Sequence, residues 1–467
     1  MREAPGIGAR LQNGLEQLDA GVARTMIERV REAARENGMW MEEREASTVV
    51  PICLRPGFVD PATLGYVHHA TWQMRRALQR LPGVVAEDSQ ARELLSLTDV
   101  ERKWFEQYRP ASLHGDSRYC RLDALFRTGS PGRPAQFEFI EPNVVGLGGM
   151  CYAIDTVDIL ERFVFPEIWD AEGDDIPQRA DDPRELLFLE LMEFSRGRGF
   201  GENPTVVLLG SRNGYETDGE DRRLVDWLRR RGLDTLFADP RELEIGTDGV
   251  IFAEGRRVDV IYRMMELSDL VEIEQKEGEL GAVRAAFDQQ RVTPTVGGDL
   301  EQKSVFELFT NDRYADHFTP TQQEVFRRHV LWTRLLTDRE TTGPGGESVA
   351  LPSFAREHRS ELVLKPNRSY GGTGVLIGPQ TSAREWDQAI ESAISGSSEL
   401  VVQRLAKLVE EELPIQTDDA FETRAVYTVI GVFPSRYGVG VLGRYSDEPV
   451  VNVTRSGGVV PYMVDFS

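Results

Sequence analysis

Cysteine is scarce in this 467-residue chain: Cys53, Cys120 and Cys151 lie far apart and in no CxxC spacing. That excludes a disulfide framework and a cysteine-based zinc site, and leaves small buried side chains as the reading. Lysine is scarce too, with five among 54 basic residues: Lys103, Lys276, Lys303, Lys365 and Lys407. Arginine is the default cation, so a lysine inside a motif hints that a compact ammonium is wanted there rather than a planar fork. No apolar run approaches the ~18 residues of a membrane span, and residues 1–13 lack the charged-then-apolar order of a signal peptide. Basic runs are missing as well. The 77 acidic residues give a net charge of −23, which argues against a nucleic-acid or anionic-membrane partner. A soluble cytoplasmic protein is expected. Of the six histidines, His68 and His69 are adjacent and face different ways on a helix, which makes them a poor metal pair.

The length exceeds one ordinary core, so two to three structural units of roughly 100–200 residues are expected. Up to about residue 115, helical patterns at 22–37 and 61–81 alternate with short apolar runs such as 49–54, as in an independent helical and mixed layer. Residues 118–127 and 136–141 read as two strands around a turn at 128–132, which is a hairpin. Glycines 146, 148 and 149 lead into an apolar helix over 151–165, and the acidic run 170–183 reads as a linker. From Pro204 a strand (206–209), a helix (221–231) and strands at 235–238 and 258–262 alternate as in a small doubly wound α/β layer. Beyond Leu300 come a helix near Lys303, strands at 362–365, 375–377 and 400–403, and a strand-rich end over 423–464. No internal repeat is present.

The strongest signal runs from Leu362 to Val375, reading LVLKPNRSYGGTGV: an apolar strand ending in lysine, a glycine-rich turn and a second apolar strand. A phosphate-gripping hairpin has this form. Gly371, Gly372 and Gly374 let backbone N–H groups approach a triphosphate, and Lys365 adds positive charge at the strand end. A P-loop needs its lysine after the glycines and then a helix, a dinucleotide fold needs GxGxxG opening a helix, and a protein kinase needs HRD and DFG elements; none fits. In a chain with 43 glycines, an ordinary hairpin with a glycine turn is the alternative.

The second signal is the hairpin carrying Arg121 and Asp123 on one strand and Glu141 and Asn143 on its partner. Residues two apart on a strand face the same way, so Glu141 and Asn143 project together and Asp123 reaches them from the adjacent strand. Two carboxylates and an amide suit Mg²⁺, which prefers oxygen ligands. Arg121, on the face of Asp123, is placed to steady a transferring phosphoryl group. The alternative is a solvated polar face. Against it, Phe137 and Phe139 precede Glu141 and three glycines follow, which suggests a lined cleft.

These residues resemble the glutathionylspermidine synthase-like, circularly permuted ATP-grasp ligases. In that family an RxD strand and an ExN strand precede the glycine-rich ATP loop, and Arg121, Asp123, Glu141 and Asn143 match that order and spacing. The resemblance spans roughly residue 118 to the C-terminus and extends to Lys303, which looks like the family's upstream ATP lysine, and to Lys365. Arg444 in GRYS looks like an arginine that contacts the phosphates or an acyl phosphate, followed by an NxxSR-like element at Asn452 to Arg455. Arg424 is a further candidate. The glycine loop reads SYGGTG where the family has a GREG-like form, and residues 1–115 match no glutathione- or polyamine-recognising segment. The resemblance therefore implies a chemistry and not its substrates. No Cys and His pair opens the chain, so the amidase half of bifunctional members is not expected.

The resemblance implies an α/β (α+β) ATP-grasp fold, circularly permuted. Its expected parts are a helical and mixed region (1–115), a metal-binding part (116–200), a pre-ATP-grasp-like α/β unit (201–299) and an ATP-binding C-terminal part (300–467). It implies an ATP- and Mg²⁺-dependent carboxylate–amine ligase working through an acyl phosphate on small-molecule acid and amine substrates; the unmatched N-terminal part points to specialised peptide-like metabolite biosynthesis, and ligases of this class are often dimers or larger, which leaves a homo-oligomer open. Asp123, Glu141 and Asn143 would hold the metal, Lys303, Lys365 and the three loop glycines the nucleotide, and Arg121 and Arg444 the transferring group. Arg55, Arg118 and the 146–149 loop are nominated for substrate contacts, the last through a helix N-terminus that holds a carboxylate. A small-molecule kinase on the same architecture and a non-enzymatic ATP-binding module are the alternatives.

Overall fold

The computed structural model describes residues 6–43, 46–112, 119–127, 136–169, 177–217, 219–369, 371–407, 410–418, 420–449 and 457–466. The turn at 128–132, the first half of the 170–183 run, Arg118, Tyr370 and the 452–455 element lie outside the described residues.

The largest sheet is antiparallel and joins distant parts of the chain. Its order is Gly457–Val460, Gly438–Ser446, Phe421–Ser435, Arg121–Arg127 and Gln136–Asn143, with Glu410–Gln416 pairing the first half of Phe421–Ser435. The 15-residue strand Phe421–Ser435 is edged by Glu410–Gln416 where it is partly exposed, and buried throughout its second half, where Arg121–Arg127 takes over as neighbour. The early hairpin thus belongs to a sheet whose other strands come from the end of the chain.

The long helix Pro61–Glu87 covers one side of that sheet. Asp60 caps it by accepting the Thr63 N–H, and Pro61 stands at its first turn, where a missing N–H costs nothing. Its Arg75 is buried, pairs with Glu190 at 2.7 Å and donates to the Pro434 carbonyl at the end of the long strand. Val67, Met74 and Leu78 share one core with Leu122, Phe139 and Ile430. In addition, Gly57–Val59 pairs in parallel with Tyr462–Val464 near the C-terminus. The N-terminal region thus packs on strands from the end of the chain, because the helix has an apolar stripe that needs a sheet to cover it.

A second antiparallel sheet has the order Thr333–Leu335, Leu400–Arg404, Leu362–Pro366 and Leu376–Ile377. Its outer face packs Leu364 and Val402 against Trp386 and Ile390 of the helix Ala383–Ile394, which a Ser382–Glu385 capping box begins. The third layer is parallel: Val292–Thr293, Val260–Arg263, Thr205–Leu209 and Asp234–Ala238. Its strands are buried on both faces, which is why their sequences are continuous apolar runs instead of alternating ones. The helix expected from residue 151 begins at Met150 and passes into a π turn, Leu160–Val164, next to Pro166, which has no N–H to continue an α ladder. Among the described residues, no helix is long and apolar enough to cross a membrane.

Arg263 ties the parallel layer to the segment that carries Lys303. It is fully buried and grips Asp299 at 2.6 and 3.0 Å, and Asp299 also accepts the Leu267 N–H at 2.7 Å. Asp299→Ala leaves Arg263 buried without a counter-charge. We expect a loss of about 3–5 kcal/mol in unfolding free energy, measured by denaturant titration; a loss near zero would show that water reaches Arg263.

Candidate functional site

The two strands of the first hairpin pair Arg121 with Asn143, Leu122 with Pro142 and Asp123 with Glu141, then slip so that Ala124 faces Phe139. Ile140 is the extra residue of a bulge. Directly opposed residues share a face, so Arg121, Asp123, Glu141 and Asn143 stand on one side of the hairpin. Asp123 is fully buried there. Arg121 Nε donates to Asp123 Oδ1 at 2.8 Å and its Nη2 to Oδ2 at 3.1 Å, while Arg444 Nη2 lies 2.7 Å from Oδ2. Burial opposes the Asp123 charge, and the two guanidiniums outweigh it, holding the carboxyl below its ordinary range. Arg424 pairs with Asp447 at 3.0 Å and takes no part in this cluster.

Gly431, on the neighbouring strand, is the register partner of Asp123. A Cβ placed there would lie 2.7 Å from Arg121 Cδ and 3.1 Å from Asp123 Oδ1. The absence of a side chain at 431 makes room for the Arg121–Asp123 pair. Nothing in the sequence singles this residue out among 43 glycines.

Beside the hairpin, between the two antiparallel sheets, is a partly open pocket of about 110 Å³. Leu125, Ile140, Leu331, Val363 and Val429 make much of it apolar, and Glu141, Lys303, Lys365 and Gln403 supply polar groups. The bulge at Ile140 adds its side chain to this wall and its carbonyl to the reach of Lys365 Nζ, at 3.4 Å. Lys365 Nζ donates at 2.7 Å to Gln403 Oε1, and the Gln403 amide in turn donates to Thr333 Oγ1 at 2.9 Å. Burial lowers the Lys365 pKa from 10.5 to about 8, with Lys303 adding to the effect and Glu141 opposing it. Lys303 Nζ donates to the Ser369 carbonyl at 2.7 Å and lies 3.3 Å from Glu141 Oε2. Gly371, Gly372 and Gly374 all have positive φ, 65°, 69° and 74°, a conformation that disfavours a side chain. Gly372 lines the cavity directly.

Glu141, Lys303 and Ser369 also form one wall of a second, smaller pocket of about 30 Å³, whose other lining includes Asn143, Glu266 and Glu301. The loop that follows Asn143 is held by the chain's own carboxylates. Glu301 accepts the N–H groups of Val144 and Val145. Burial, helped by Glu266 and Asp299, pushes the Glu301 carboxyl well above its usual range against those donors. Glu220 accepts from the Gly149 N–H at 2.7 Å and the Cys151 N–H at 2.9 Å, and Arg121 Nη1 donates to the Gly148 carbonyl at 2.7 Å. The helix N-terminus nominated for a substrate carboxylate therefore does hold a carboxylate, namely Glu220. Arg55 donates to the Glu412 carbonyl at 3.0 Å, on the strand Glu410–Gln416. Glu220, Glu301, Gln403 and Gly431 escaped sequence reasoning because each works on a partner remote in the chain. The three cysteines are all buried, and burial raises the Cys53 thiol to about 12.

No family model matches this chain, and no curated protein matches it. Among solved structures it is similar to a glutathione synthetase-like effector from Globodera pallida in its apo form. The TM-score is 0.60 at 12% identity, over 96% of this chain and 98% of that one. A Methylobacillus flagellatus protein named for gamma-glutamylcysteine synthetase is similar at TM-score 0.41 and 12% identity, over 87% of this chain and 89% of that one. A RimK-domain ATP-grasp protein from Sphaerobacter thermophilus follows at TM-score 0.23 and 15% identity, over 50% of this chain and 88% of that one. The first likeness establishes the fold, and the chain has the mixed α/β architecture of the ATP-grasp class.

The depressed Lys365 pKa makes a prediction about stability alone. Between pH 8 and 10.5 the unfolded chain binds a proton at this lysine that the folded chain has lost, so stability rises with pH across that window. Relative to Lys365→Met, the unfolding free energy of the natural chain is expected to climb from pH 8 to 10.5. Parallel curves for the two proteins would mean that the lysine is hydrated.

Proposed function

We propose that this chain is an ATP-dependent carboxylate–amine ligase that works through an acyl phosphate and releases ADP and phosphate. The observation that carries the reading is one cavity, apolar along much of its wall, onto which Lys303, Lys365, Glu141 and Gly372 of the glycine turn all open. An apolar slot suits a base, and ammonium groups beside left-handed glycines suit its phosphates. The sequence likeness to glutathionylspermidine synthase-like ligases and the shared fold support the same reading.

In this proposal Lys303, Lys365 and the backbone of Gly371, Gly372 and Gly374 hold the triphosphate. Arg121 and Arg444 face the transferring phosphoryl group, where their guanidiniums offset charge moving between oxygens. A carboxylate oxygen of the acid substrate bonds to the γ-phosphorus as the bond to ADP breaks. The amine nitrogen then attacks the acyl carbon, loses a proton and expels phosphate. Glu141 and Asn143, with their shared face and oxygen donors, fit a divalent cation. Both oxygens of Asp123 are engaged by guanidiniums, so it joins the set only when an arginine turns to the phosphates. Mg²⁺ bound there would screen the phosphate charge.

The test is to supply Mg·ATP and hydroxylamine with a panel of amino acids, small peptides and other carboxylic acids. Acid-dependent ADP with a hydroxamate product is expected. A phosphorylated product in its place would make the chain a kinase, and nucleotide binding without any turnover a non-enzymatic module. Glu141→Gln and Lys365→Ala should each lower turnover by roughly 10²–10³-fold without unfolding the chain. Near-normal turnover in either would refute the role assigned to that residue.

A further inference from the structure

Asn367 lies two residues beyond Lys365 and is 1% exposed. Its Oδ1 accepts the Ser304 N–H at 2.8 Å, and its Nδ2 donates to Gln302 Oε1 and to Glu399 Oε2, each at 3.1 Å. The backbone joins in: its carbonyl accepts the Lys303 N–H at 3.2 Å and its own N–H donates to the Glu399 carbonyl at 2.9 Å. One residue thus grips two consecutive backbone N–H groups, those of Lys303 and Ser304. The strand that ends in Lys365 is thereby fastened to the segment that carries Lys303.

We propose that Asn367 is a positioning residue that sets the spacing between the two cavity lysines and so the affinity for the nucleotide's phosphates. This rests on the reading of the cavity as a nucleotide site. The Lys365 ammonium is anchored by Gln403 and that of Lys303 by the Ser369 carbonyl and Glu141, so Asn367, which holds the Lys303 backbone, sets where the second stem begins. The chemistry at 367 is narrow. A backbone N–H can only donate, so the atom facing Ser304 must be an acceptor, and the atom facing the Glu399 carboxylate must be a donor. Asparagine offers both on one planar group. Aspartate has no donor to offer and would set a negative charge against Glu399. Leucine would leave the Ser304 N–H and the Glu399 carboxylate without their partner.

A double-mutant cycle tests this. The affinities of the natural chain, Asn367→Ser, Lys303→Met and the double variant for a non-hydrolysable ATP analogue are measured by calorimetry, with denaturant unfolding of each. Serine keeps an acceptor near Ser304, which protects the fold; Asn367→Ala serves as the second variant. Each single change is expected to weaken binding roughly tenfold, and the double variant to bind about as weakly as either single one, because Asn367 acts through Lys303. A purely structural role would lower the unfolding midpoint and leave the two losses to multiply, which would overturn the proposal. Unchanged affinity in Asn367→Ser and Asn367→Ala would overturn it too. If the natural chain binds no adenine nucleotide, the reading of the cavity fails first. If it binds and the losses multiply, only the role of Asn367 fails.

Discussion

Asp123 is a carboxylate shut away from water, and a charge in that position persists only if it is fully paired. Its two partners come from different ends of the chain. Arg121 shares its strand, and Arg444 reaches it from Gly438–Ser446. Gly431, between them in the sheet, leaves the space that a β-carbon would fill. Placed elsewhere, the early hairpin would keep Arg121 on Asp123 but lose Arg444, the half of the pairing that comes from the end of the chain. The joining of early and late strands in the large sheet and the electrostatics of the candidate site are thus linked through Asp123.

A second constraint is concentrated in the few residues from Asp299 to Ser304. Asp299 pairs with Arg263 of the parallel layer, Glu301 holds the loop after Asn143, and Gln302 donates to the Ser96 carbonyl at 2.6 Å in the N-terminal part. Lys303 reaches Glu141 and the glycine turn, and Ser304 meets Asn367. Four parts of the chain converge on one short stretch with no regular α-helix or strand until Val305. Its N–H groups at Glu301, Lys303 and Ser304 are satisfied by the Gly298 carbonyl and by the carbonyl and side chain of Asn367, which is how an irregular segment can be buried. The position of Lys303 is therefore set jointly by all four parts.

Much of the architecture was legible in the sequence because the signals were local. The run 206–209 reads as a buried parallel strand and is one; the hairpin strands, the glycine turn and the helix at 221–231 stand within a few residues of their expected bounds. The shared face of Arg121, Asp123, Glu141 and Asn143 followed from strand alternation, although the bulge at Ile140 did not. What the N-terminal helix packs on was not legible, for a plain reason. The amphipathic pattern of Pro61–Glu87 says that one side must be covered, and it does not say by what.

By itself, then, the sequence determined which segments are strands and helices and which short stretches gather lysines, glycines and oxygen-bearing side chains, since period, turn residues and motif spacing act over a few residues. Only the tertiary structure decided that Arg444 shares Asp123 with Arg121, that Glu220 occupies the helix N-terminus, and that Gly431 and Asn367 shape a site they do not resemble. The reason is physical. A buried charge or N–H group is satisfied by whatever partner folding brings within about 3 Å, and nothing in the local chain specifies which remote residue that will be.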